Sequence, residues 1–312
     1  MQTLLKNPSQ IKWVCHHLHI DKSNTINSKI LKQSLNHMKE KWHLMSHIKK
    51  EYTEIDLYHR MDYTIHSLYT QNCHKLKTFI DVDSTVGMLP MLTALKLKEK
   101  CAQKNVDLQI GTQPLGGLET KQNIKLFKEA CVLADFVGCL PSRDKKPKKH
   151  LDIAFETAAS QSKHIEAHLD QCNLPTEKET ELFCNFVEKY NYQGKARAIH
   201  CISLACHPRE YQNKIASLLH QNDIGVIICP SAAISMFQDY SKKTPIHNSI
   251  APLAILLKNN VNVGLGVDNI KDIFMPFCDG DLSFELRLLA EATRIYKPDV
   301  LLEIATNDMG FK

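Results

Sequence analysis

Glycine is in short supply: eleven residues among 312, with no Gly-x-Gly-x-x-Gly and no Gly-x4-Gly-Lys-Ser/Thr string. Folds that cradle a nucleotide cofactor on a glycine-rich turn are therefore disfavoured. Long hydrophobic runs are missing too. No stretch approaches the ~20 uninterrupted apolar residues of a membrane-spanning helix, so no membrane role is expected. Nor does charge of one sign dominate, since 39 Lys and Arg face 34 Asp and Glu. The one dense basic cluster, Lys145, Lys146, Lys148 and Lys149 around Pro147, reads as a solvated loop, and no nucleic-acid partner is expected. Eleven cysteines make an odd number and form no Cys-x-x-Cys, which argues against zinc ribbons and redox motifs. The first residues, MQTLLKNPSQ, lack the apolar stretch of a secretory signal. The thiols thus read as reduced and the chain as cytoplasmic, with Cys15, Cys131, Cys139 and Cys229 acting as small hydrophobes. At 43% hydrophobic and 23% charged residues, the chain reads as soluble and globular.

What is present is alternation. Strand-length apolar runs recur at Ile11–Cys15, Thr78–Val82, Val106–Ile110, Phe136–Leu140, His164–His168, Ala196–His200, Gly225–Cys229 and Val261–Val267. Helix-compatible segments lie between them: Met91–Lys104, Lys121–Leu133, Leu151–Ser160, Glu177–Tyr190, Pro208–His220 and Ala251–Lys258, with Leu282–Ala292 after the last. A longer helical region, about 28–76, separates the first two strands. Its aromatics Trp42, Tyr52, Tyr58, Tyr63 and Tyr69 are expected to pack against the main body. Eight strand–helix pairs in unbroken order predict a single α/β domain over 1–312, a (β/α)8 barrel of the TIM type. A doubly wound open sheet is the runner-up.

In such a barrel the chemistry sits at the C-terminal strand ends. Strand one ends in His17-Leu18-His19, and alternation turns both imidazoles the same way. Strand five ends in His168, strand six in His200, strand eight in Asp268. Imidazoles and a carboxylate converging from four strands form a ligand set for a divalent metal such as zinc. A lone strand-end histidine is ordinarily a hydrogen-bonded one; the joint pattern carries the metal reading. Several other histidines (His37, His43, His47, His150) are expected on the surface.

The ordered set His17, His19, His168, His200 and Asp268 resembles the amidohydrolase superfamily, and most of all its cytosine-deaminase and adenosine-deaminase branches. The strings HLHIDKS, TFIDVDS, LQIGTQP, ADFVGCLP, IEAHLD and NVGLGVDNIKD carry the likeness from about residue 15 to about 306. The resemblance implies a metal-dependent hydrolase of a C–N bond in a small cyclic or amide-bearing molecule. His17, His19, His168 and Asp268 would be the metal ligands, and the metal would activate water. His200 and Asp268 would be catalytic, Asp268 as proton acceptor, while Asn269 would face substrate. The modified lysine that bridges two metals in some members has no counterpart in strand four, so one metal ion is expected: zinc foremost, iron as the alternative. Cytosine-deaminase-like enzymes carry a small flanking β-sandwich; the short stretch before His17 leads us to expect none here, as in adenosine deaminases.

One departure bears on the reaction. Deaminases of both branches carry a glutamate three residues after the strand-five histidine; here that position is Gln171. An amide orients substrate but cannot shuttle a proton. Two alternatives stay open: a nucleobase or nucleoside deaminase that releases ammonia, and a catalytically impaired barrel that binds ligand. Asp81 and Asp83 are expected to support the metal-binding histidines, and Asp21 and Lys22 to form a local ion pair. Gln113 and Leu115 follow strand three, where the family places a base-gripping glutamine, and His247-Asn248-Ser249 lies in the loop after strand seven. Homo-oligomerisation is left open.

Overall fold

The computed structural model describes residues 7–236, 244 and 249–310. Eight parallel strands follow in order: β1 (Trp13–Leu18), β2 (Cys73–Asp81), β3 (Asp107–Gln113), β4 (Val137–Cys139), β5 (Ile165–Leu169), β6 (Ala196–His200), β7 (Gly225–Ile228) and β8 (Val263–Leu265). They form two sheets, β1-β2-β3 and β4-β5-β6-β7-β8, each with sequential neighbours. Such parallel pairing demands a crossover after every strand, and helices supply it. Single parallel bridges, Gly111 with Phe136 and Leu18 with Asp268, touch the sheets' free edges together. Among the described residues no ladder joins the two sheets; at their edges these bridges, with the Asp135–Ile110 and Val267–His17 backbone hydrogen bonds, stand where the alternation predicts one continuous ring.

Helices cover the strands by burying one apolar stripe each. In Leu89–Ala102 the stripe is Met91, Ala94, Leu97 and Cys101; in Glu54–Tyr69 it is Leu57, Met61, Ile65 and Leu68. Thr53 caps the second of these by accepting from the Asp56 amide. The strands are buried on both sides, β1 and β5 along their whole length, as parallel strands under helices must be. Among the described residues no helix is long and apolar enough to cross a membrane.

The region between β1 and β2 resolves into three helices, α1 (Ser28–Gln33), α2 (Met38–Lys49) and α3 (Glu54–Tyr69). The helical reading to residue 76 overran by seven residues, because α3 ends at Tyr69 and β2 begins at Cys73, where its first residues pair with β1. Two helices had no sequence expectation, Pro230–Ser235 and Pro298–Thr306. His150 is buried rather than on the surface. Its helix, Pro147–Ser160, starts four residues before the expected Leu151 and turns the ring inward, where Nε2 accepts from the Leu140 amide and Nδ1 lies 2.8 Å from Asp144. That start also places Lys148 and Lys149 on a first helical turn, so only part of the basic cluster is loop. All eleven cysteines are free, and nine of them are buried.

Candidate metal centre and its cavity

Three backbone hydrogen bonds draw the ends of β1 and β8 together: Val267 and Asp268 amides donate to the His17 carbonyl, and the His19 amide donates to the Asp268 carbonyl. The side chains therefore converge. His17 Nε2 lies 3.1 Å and His19 Nε2 3.2 Å from Asp268 Oδ1. From β5, His168 Nε2 comes within 3.4 Å of His19 Nε2; from β6, His200 Nε2 is 4.0 Å from Asp268 Oδ2. All five are buried. The neighbouring residue His16 points to the other side, its Nε2 3.0 Å from Asn307 Oδ1, as strand alternation requires.

Local backbone sets these positions. His200 and Asp268 hold φ of 74° and 63°, a left-handed conformation that costs non-glycine residues free energy. His200 is the last residue of β6, and Asp268 lies three residues beyond the end of β8. Gly266 permits the close approach of β8 to β1, for a Cβ there would lie 2.7 Å from His17 Cβ. Behind the imidazoles, His19 Nδ1 lies 3.3 Å from the Phe79 carbonyl and His168 Nδ1 3.4 Å from that of Cys139. Those contacts aim both Nε2 atoms at the centre.

Burial pushes the pKa of His17, His19 and His168 down, and takes His200 to about 4. Neutral rings, which a metal needs, are thus the resting state near pH 7. Burial pushes the Asp268 carboxyl up, but hydrogen bonding to His17 and His19 and the proximity of His200 outweigh it and hold it well below the usual range. Four neutral imidazoles around one carboxylate, with the donor atoms of each grouping within 4.8 Å of one another, fit a divalent cation. The donors group as His17, His19, His168 and as His17, His200, Asp268.

Beside this cluster runs a chain of buried charges. Lys22 Nζ bonds Asp81 Oδ1 at 2.8 Å and Asp21 at 3.3 Å; Lys49 Nζ, from the last turn of α2, bonds Asp81 Oδ2 at 3.1 Å and Asp83. The expected Asp21–Lys22 pair exists, but the shorter bond of Lys22 is to Asp81. Asp81 and Asp83 bond to these lysines and not to the imidazoles they were expected to support, and through Lys49 they tie the end of β2 to α2.

The α1–α2 region roofs a cavity above the histidines. Asn36, Met38, Lys41 and Trp42 form its roof. Trp42 is buried in a cluster with Met45, Leu115 and Leu140, as expected, and also lines the cavity, whereas Tyr63 is exposed. The walls include Gln113 and Leu115 together, Gln171, and Asn269, whose amide donates to Asp272. Gln113 Oε1 and Gln171 Nε2 are buried without a hydrogen-bond partner among the described residues. Ser249 instead bonds Asn173 away from the cavity, and His247 and Asn248 lie outside the described residues.

With 21% identity, the structure superposes on 5-methylcytosine deaminase from Klebsiella pneumoniae liganded with 5-fluorocytosine at a TM-score of 0.85, covering 95% of this chain and 72% of that one. The two proteins share a fold. N-isopropylammelide isopropylaminohydrolase from Burkholderia multivorans aligns at 0.75, with 18% identity over 95% of this chain and 72% of that one. A zinc complex of atrazine chlorohydrolase from Arthrobacter aurescens aligns at 0.63, with 13% identity over 95% and 69%. By sequence, an uncharacterized Haemophilus influenzae protein is 29% identical over 77% of this chain and 88% of its own length. The N-isopropylammelide isopropyl amidohydrolase of Pseudomonas sp. strain ADP is 23% identical over 66% of this chain, which spans about half (48%) of that enzyme. No family model matches.

Within this fold the structure brings together all seven site residues named from sequence: His17, His19, His168, His200 and Asp268 as a cluster, Gln171 and Asn269 on the cavity wall. The sequence leaves open that the 28–76 region caps the site, carries substrate contacts or forms a dimer surface, and it singles out neither Lys41 nor Lys49. Their only signal was the length of the β1–β2 connection, far beyond an ordinary strand–helix link.

Proposed function

We propose that this protein is a metal-dependent hydrolase of a C–N bond in a small cyclic, amide-bearing molecule. The observation that carries the reading is the buried cluster of four neutral imidazoles and one carboxylate under a roofed cavity. His17, His19, His168 and Asp268 would hold one divalent ion, zinc by the nature of the donors. Such an ion, when bound, supplies a Lewis acid and lowers the pKa of water. Asp268, its carboxylate kept ionised, takes up the proton from the attacking water, and His200 orients the reacting group across the cavity. Gln171 Nε2 offers a donor and Gln113 Oε1 an acceptor, the complement of a lactam or ureide edge. Asn269, braced by Asp272, fixes the opposite side. In this reading the two sheets close into one (β/α)8 barrel, supported by the bridges at Leu18–Asp268 and Gly111–Phe136. A cytoplasmic place is supported by eleven free cysteines.

The likeness to a deaminase favours a second reading, ammonia release from a nucleobase, against which Gln171 stands because an amide cannot carry the proton to the leaving nitrogen. Elemental analysis together with a screen of cyclic amides, pyrimidines and purines tests both. One metal per chain with a new carboxylate and amine supports the first reading, and ammonia release supports the second. Absence of metal under every loading condition refutes the site, and tight binding without turnover points to a ligand-binding barrel.

A further inference from the structure

Lysine 41 sits on the roof of the cavity, near the start of α2, and is 4% exposed. Among the described residues it makes no ion pair. Its Nζ reaches only the Phe274 carbonyl, at 3.4 Å, which is long for an ammonium donor. The one carboxylate that acts on it through space, Asp272, is occupied elsewhere: it accepts from the Phe274 and Met275 amides and from Asn269. Lys22, the other cation of the wall, shows the contrast, because Asp81 and Asp21 satisfy it. A buried ammonium without a counter-charge is costly to fold around. A methionine or leucine on the same roof would seal the cavity without that cost.

We propose that Lys41 is a specificity-determining residue that recognises an anionic group on the substrate, so that the molecule hydrolysed here is a flat ring bearing one negative charge. This deepens, and rests on, the reading of the cavity as a hydrolase site. The charge completes Lys41, while Gln113 and Gln171 engage the uncharged amide edge. Two kinds of anion meet that description: a ring that ionises itself, and a neutral ring with an exocyclic carboxylate. The same chemistry recognises both.

Three pyrimidine probes separate the cases by calorimetric titration of metal-replete protein: uracil (neutral), barbiturate (ring anion) and orotate (carboxylate). Binding of either anion, or both, at least tenfold tighter than uracil is expected, and the preferred one names the source of the charge. Lys41→Met should weaken the preferred anion roughly ten- to hundredfold, the worth of a charge-assisted hydrogen bond, and leave uracil within about threefold. Lys41→Arg, which keeps the charge, should recover most of the loss. A structural latch between α2 and the Phe274 loop would instead weaken all three probes alike in Lys41→Met. That result, uracil binding as well as both anions, or no binding of either anion by metal-replete protein, overturns the proposal. Metal content measured on the same samples keeps the two claims apart, since a protein that takes up no metal refutes the hydrolase site instead.

Discussion

Lys49→Met is the perturbation that most directly tests how the cavity roof is held. Lys49 is fully buried, and its ammonium bridges two carboxylates, Asp81 and Asp83, that are buried with it. Methionine matches the volume but removes the only cation between them. Asp81 keeps Lys22, at 2.8 Å; Asp83 keeps only the amides of Thr85 and Val86. Breaking a buried pair by deleting one partner costs about 3–5 kcal/mol, chiefly because a desolvated charge is left behind. Unfolding entropy near 2.1 cal/mol/K per residue over 312 residues makes that a fall of roughly 5–8 °C in thermal midpoint. Urea denaturation gives the free energy directly. Adding Asp83→Asn should recover at least ~1 kcal/mol, because the orphaned charge is then gone. Since α2 also carries Lys41 and Trp42, ligand binding in the cavity should weaken as well. A loss below 1 kcal/mol for Lys49→Met, or strict additivity with Asp83→Asn, would refute the claim that this ion pair anchors the roof.

Other substitutions probe the chemistry and the electrostatics. Asp268→Asn keeps the shape beside His17 and His19 but cannot accept a proton, so kcat should fall about 10²–10⁴-fold with little change in thermal midpoint; activity within tenfold of wild type would exclude Asp268 as the base. Gln171→Ala should raise KM more than it lowers kcat, whereas Gln171→Glu should not improve the native reaction; a glutamate variant that gains ammonia release would favour the deaminase reading. Glu285, buried beside Ser231, is raised by burial to about 7 against an ordinary 4.5. Between those values the unfolded chain has lost this proton and the folded one has kept it, so stability falls with rising pH, by about 3 kcal/mol across the window. Glu285→Gln should flatten that limb and be the more stable protein at pH 8. Parallel stability curves for the two proteins from pH 4.5 to 8 would show the shift to be absent.

Much of this molecule follows from order along the chain. Strand-length apolar runs separated by helical stripes dictate parallel pairing, because a strand buried on both faces needs a covered crossover; β6 (Ala196–His200) and the helix Lys121–Leu133 fall on the residues expected from sequence. Alternation likewise aims His17 and His19 together and His16 away. These are short-range rules, and the sequence alone determines their outcome. The approach of His168 and His200 to Asp268, residues up to a hundred positions apart, rests on the sequential order of β5, β6 and β8 in one parallel sheet, and the resemblance of spaced motifs announced it in advance. What only the tertiary structure decided is which distant side chains share a desolvated volume. Nothing in periodicity marks Lys49 as the partner of Asp81, Lys41 as an unpaired cation or Trp42 as a cavity wall. Each lies on an α2 whose polar and apolar residues alternate like those of any surface helix, and its burial is conferred by the strands beneath and by the Phe274 loop above. Burial also reverses the ordinary meaning of a residue type: the same lysine that is a solvated charge on an exposed face becomes, without water, either half of an ion pair or a site for an anion.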